Sequence, residues 1–106
     1  MSITVIKQLP VAWKVAGQSV TEVELREPVL EDLLDAEKDA NPALAPNAFN
    51  VALAARTMVR AGTYTGPFAP GHFKSMPTRA WYAIREGLAE AEKLGEDTQP
   101  GPALPR

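Results

Sequence analysis

Cysteine is absent from this chain, which excludes disulfide frameworks, thiolate metal sites and cysteine nucleophiles. Long apolar runs are missing as well, and no stretch approaches the ~20 residues of a membrane span. The opening MSITVIKQLP lacks a basic n-region and an apolar run, so the expectation is a cytoplasmic protein without a signal peptide. Positive charge is not in excess: the net charge is −2 and the pI about 5.4. That balance argues against nucleic acid as the main partner. Histidine occurs once, at position 72, which leaves little material for acid–base catalysis.

What is present fits one small domain. A chain of 106 residues is too short for two separate cores, and 45% hydrophobic with 23% charged is ordinary for a globular fold. Ten prolines, about twice the usual share, predict short and sharply punctuated elements. Charge is unevenly spread: residues 1–45 carry four basic and eight acidic side chains, residues 46–94 six basic and three acidic. Such polarity either steers copies of the chain together or marks two solvated faces of one fold.

The first 26 residues read as β structure. Val11, Trp13 and Val15 alternate with polar or small residues, as do Thr21, Val23 and Leu25, with Gly17 supplying a tight turn between the runs. An earlier run, Ile3 to Leu9, reads as a further strand ended by Pro10. The face of Trp13, Val15, Val23 and Leu25 must pack on something, because a lone hairpin is marginal in water.

Pro28 opens a first helix with Leu30, Leu33 and Leu34 as its apolar stripe, and Asn41-Pro42 ends it. A second helix is predicted from Pro46-Asn47 to about Ala61, with Gly62 as its C′ residue. Phe49, Ala52, Leu53 and Val59 make one face of it, and Val51, Ala54, Ala55 and Met58 another. A helix this apolar either meets another chain or forms a central core element under the hairpin. Residues 62–77 are a Gly/Pro-rich loop whose Tyr64, Phe68 and Phe73 should pack down. A third helix from about Thr78 to Leu94 carries the stripe Trp81, Ile84, Leu88 and Ala91, with Gly95 as its cap and a flexible Pro-rich tail over 95–106. The fold class expected is α+β: an N-terminal antiparallel hairpin of two or three strands, three helices and a flexible tail, with residues 1–94 as one domain.

Chemistry-bearing patterns are sparse. His72 sits in the loop without an orienting partner at local spacing, so no catalytic residue is assigned. Glu31, Asp32, Asp35, Glu37 and Asp39 cluster on the first helix but lack the Gly-punctuated oxygen-ligand loop of a calcium site, so no metal is expected. Gly62, Gly66 and Gly71 follow no phosphate-binding pattern, and no cofactor is expected. Arg56, Arg60, Arg79 and Arg85 fit no recognisable nucleic-acid motif.

The run VTEVELREPVLEDLLDAEKDAN resembles the opening of tail assembly chaperones from Mu-like and P2-like contractile-tailed phages. That family places a strand ending in Leu-Arg-x-Pro before a helix with Asp and an Ala-Glu pair. Leu25, Arg26, Pro28, Asp32, Ala36 and Glu37 occupy those places. An apolar helix with an internal Arg (Leu53, Arg56) and a Pro-containing loop leading to a last helix (Phe73, Met76, Trp81, Ile84) follow the same layout. The likeness spans residues 5–94 and does not extend to the Pro-rich end.

The resemblance implies a non-catalytic assembly factor in the host cytoplasm that coats the tape-measure protein while tail-tube subunits polymerise around it. Such proteins are commonly made in two lengths by a ribosomal frameshift, the longer form recruiting the tube protein. The expected partners are therefore the tape-measure and tail-tube proteins, together with further copies of the chain. Phe49, Leu53, Met58 and Phe68 are the candidate partner-binding residues, because a chaperone for an amphipathic helix needs apolar anchors at helical spacing. The alternative is a small phage-encoded adaptor or inhibitor that binds one folded host protein. A third reading, an enzyme using His72 with a carboxylate, predicts that His72→Ala abolishes function.

Overall fold

The computed structural model describes residues 3–98. Two strands, β1 (Thr4–Val15) and β2 (Gln18–Arg26), lead into helices α1 (Leu30–Asp39) and α2 (Pro46–Thr57). A short strand β3 (Met58–Ala61), a 3₁₀ turn at Pro70–Phe73 and helix α3 (Thr78–Thr98) follow among the described residues, an α+β architecture. The antiparallel sheet has the order β1-β2-β3, so β2 is its centre.

Alternation decides which face of the sheet is buried. Trp13, Val15, Val23 and Leu25 all point into the core, as their spacing requires. Ala80, Ile84 and Leu88 of α3 close over them, and Phe73 and Met76 fill the gap between loop and helix. The opposite face is polar: Arg60 of β3 lies across Glu24 and reaches both Glu22 and Glu24 at 3.0 Å.

The hairpin turn is two residues long, with Val15 paired to Gln18. Ala16 has φ +51° and Gly17 φ +78°, the doubly left-handed geometry whose twist matches the strands. Alanine is strained there, because its Cβ crowds the carbonyl. Ala16→Asn is expected to stabilise the fold by about 0.5–1 kcal/mol, read as a higher urea midpoint at unchanged slope.

Several elements depart from the sequence expectation. β1 does not stop at Pro10; it continues to Val15, and the ladder breaks between Gln8 and Trp13 instead. An edge strand with a local irregularity tolerates a residue that cannot donate a hydrogen bond. The third strand of the sheet is not the Ile3–Leu9 run but β3, formed by residues expected to end the second helix. Thr57 ends that helix, its hydroxyl donating to the Leu53 carbonyl at 3.0 Å, and Met58–Ala61 then pair with β2, with Met58 and Ala61 buried and Val59 exposed between them.

In α1 the buried positions are Asp32 and Ala36; Leu33 is half-buried, while Leu30 and Leu34 face outward. α1 packs on α2 through a small cluster of Ala36, Ala52 and Leu53, flanked by Leu33 and Phe49. α3 begins where expected but runs through Gly95 to Thr98. Gly95 is not a cap: a Cβ there would overlap the Glu27 carboxylate, so glycine permits a close approach within the helix. The rest of the expected tail, residues 99–106, lies outside the described residues.

Candidate binding groove

The 62–77 loop packs down on its aromatics, as expected. Tyr64 meets Phe68 edge-on at 5.1 Å between ring centroids, and Phe73 lies 5.0 Å from Trp13 and 6.2 Å from Trp81. Hydrogen bonds fix the same segment. The Trp13 indole N–H donates to the His72 carbonyl at 3.0 Å, and the Ala69 N–H donates to His72 Nδ1 at 3.0 Å. Tyr64 donates its hydroxyl to the Pro67 carbonyl at 2.6 Å. His72 is thus a strut of the loop, with one ring nitrogen already committed.

This pinned loop forms one wall of a groove whose other wall is α2. The central cleft is about 440 Å³, with Ala48, Val51 and Ala52 on the helix side and Pro70, Phe73 and Lys74 on the loop side. It continues past Val51 and Phe73 into a second space of about 270 Å³ bounded by Met76, Trp81 and Tyr82. In the other direction it continues past Ala52 and Pro70 into a polar space of about 430 Å³ that includes Phe68, Arg26, Asp32 and Arg56. Ala48, Ala52 and Ala55 fall at i, i+4 and i+7 along α2, so short side chains give the groove its depth.

The Arg26–Asp32 and Arg56 ion pairs lie at the polar end. Arg26 forks onto the two Asp32 oxygens at 2.8 and 2.9 Å and also donates to the Arg56 carbonyl at 2.9 Å. Asp32 accepts the Val29 N–H at 2.8 Å and so closes the first turn of α1. Hydrogen bonding from Arg26 holds the Asp32 carboxyl below the usual carboxylate range, against the opposing effect of burial. Arg56 stands between Asp35 and Asp39, each at 3.5 Å, and ties α2 to α1. The acidic cluster of α1 is therefore partly consumed in ion pairs and is not simply a solvated face. Among the described residues, no group of three or more His, Asp and Glu side chains is placed to hold a metal ion. No helix among them is long and apolar enough to cross a membrane.

The four candidate partner-binding residues do not share one surface. Phe68 is half-buried at the polar end of the groove. Phe49 and Leu53 belong to the α1–α2 cluster. Met58 is 6% exposed and lies in the main core on β3, not on the second helix. The core reading of the second helix holds for one part of it: Ala52 to Ala55 are buried, while Asn47, Ala48 and Val51 line open space. Sequence reasoning missed Ala48, Val51 and Pro70 as groove residues; the recurrence of small residues on one helix stripe was the available signal.

Comparison with protein-family models, with curated proteins and with solved structures gives no match to this chain.

Proposed function

We propose that the chain is a tail assembly chaperone of the kind its sequence resembles, and that it holds an amphipathic helix of a tape-measure protein in the α2 groove. The observation that carries this reading is the groove itself: apolar at its centre, aromatic at one end and charged at the other. An apolar helical stripe would seat over Ala48, Val51 and Ala52, where small side chains let two helix axes approach to about 8–10 Å. Polar residues flanking the stripe would meet Lys74 and Asp39 at the rim. The role is binding and shielding, without bond chemistry.

The test is co-expression with the tape-measure protein of the same tail gene cluster, comparing the native chain with Val51→Glu. Val51 is only half-buried, so the variant should fold, with a thermal midpoint close to the native one. A carboxylate in the apolar centre is expected to lower the soluble, co-purifying tape-measure protein about tenfold or more. Equal yields from the native and Val51→Glu chains would remove the groove from the mechanism. A native chain that leaves the tape-measure protein insoluble, yet captures one folded host protein, would favour the adaptor reading.

A further inference from the structure

The start of α1 carries exposed apolar side chains near a recess. Leu30 is 67% exposed, Val29 57% and Leu34 51%. Leu33, one turn after Leu30, packs inward on the α1–α2 cluster, so Leu30 continues that line outward. Two residues before Leu30, Pro28 forms part of a recess of about 130 Å³. Leu53, Leu88 and Ala89 give it apolar walls, and Arg85, Glu92 and Asn50 supply its polar atoms. The recess is separate from the α2 groove and shares no residue with it.

We infer that Leu30 and the recess beside Pro28 form a self-complementary face through which two copies of this chain pair about a twofold axis. A projection and a recess side by side on one surface satisfy each other twice in such a pair, so no second kind of partner is needed. The recess has room for several waters or one branched aliphatic side chain.

Charge favours a second copy as the occupant. Glu31 follows Leu30 and is exposed, and it makes no ion pair among the described residues. Arg85, at the recess, is exposed and equally unpaired. Glu92 stands two turns of α3 from Arg85 and forms no pair with it. When Leu30 of one copy enters the recess of the other, Glu31 arrives beside the partner's Arg85, and symmetry repeats the contact.

The experiment is light scattering after size-exclusion chromatography of the full chain over a concentration series. The expected mass rises from 11.4 kDa toward twice that value with concentration. Leu30→Asp is expected to weaken the pairing about a hundredfold, with an unchanged circular dichroism spectrum because Leu30 is exposed. Glu31→Lys and Arg85→Glu should each weaken it, by setting like charges against each other. Mixing those two single variants should restore the dimer, since both contacts then join opposite charges. A monomer at every concentration overturns the inference, as does a dimer that Leu30→Asp leaves intact. Failure of the mixed variants to pair overturns the assigned contact. None of these outcomes bears on the Val51→Glu result, so the pairing face and the groove are tested separately.

Discussion

Trp13→Ala is expected to cost about 3–5 kcal/mol, a large part of the roughly 5–15 kcal/mol that stabilises a domain of this size. Trp13 is fully buried and joins three parts of the molecule. It lies just beyond the break in the β1 ladder, stacks on Phe73 and donates its indole N–H to the His72 carbonyl. Truncation leaves a cavity that the surrounding sheet cannot collapse into, because Val15, Val20 and Val23 are held in register by the hairpin. Trp13→Phe separates the two contributions. It keeps most of the apolar contact and loses the hydrogen bond, and about 1–2 kcal/mol is expected. The check is urea unfolding followed by circular dichroism. A midpoint unmoved by Trp13→Ala would mean that the indole does not anchor the loop. Because that loop is one wall of the groove, the proposed holding of a helix there predicts that the phenylalanine variant loses more binding than its stability loss explains.

Elements governed by local repetition were legible in the sequence. The strands around the turn were marked by a period of two, and α3 by Trp81, Ile84, Leu88 and Ala91, the last three buried. β3 was not legible. Met58–Ala61 follows an apolar helix without a break in hydrophobicity, and a run that short fits strand and helix patterns alike. Pairing decides its conformation: Arg60 finds two glutamates on β2 only if the chain is extended there. The inward face of α1 was hidden for a related reason. Hydrophobicity points Leu30 and Leu34 at the core, whereas a partner on a different element, Arg26, draws Asp32 there. Of the candidate site, Phe68 was visible as a loop aromatic. The groove was not, because it is made of small side chains whose meaning depends on a loop wall that sequence spacing cannot place.

The Arg26–Asp32 pair carries the second large effect. Asp32→Ala is expected to destabilise the fold by about 2–4 kcal/mol, through two separate losses. The Arg26 guanidinium, about a third exposed, is left without its carboxylate, and the Val29 N–H at the start of α1 loses its acceptor. Asp32→Asn keeps an acceptor for Val29 and for one guanidinium nitrogen but removes the charge and the second oxygen that Arg26 grips, so about half the effect is expected. Acid titration distinguishes the Asp32 charge from a neutral acceptor in the same place. Hydrogen bonding from Arg26 lowers the Asp32 pKa in the folded state, so folding favours the ionised form. The resulting stability is fully present above the unfolded value near 3.8, and it is lost as pH falls through the lower folded value. Glu22 is shifted in the same direction by Gln8 and Arg60, and its contribution persists in the variant. The difference between native and Asp32→Asn urea midpoints isolates Asp32. It should be constant near neutral pH and shrink below about pH 4. A difference that stays the same down to pH 2 would mean the Asp32 charge contributes nothing beyond a neutral acceptor. A difference that shrinks ties the strand-to-helix junction, where the Leu-Arg-x-Pro pattern and Asp32 meet, to the Asp32 charge, which Arg26 chiefly and the Val29 N–H in addition hold at the polar end of the groove.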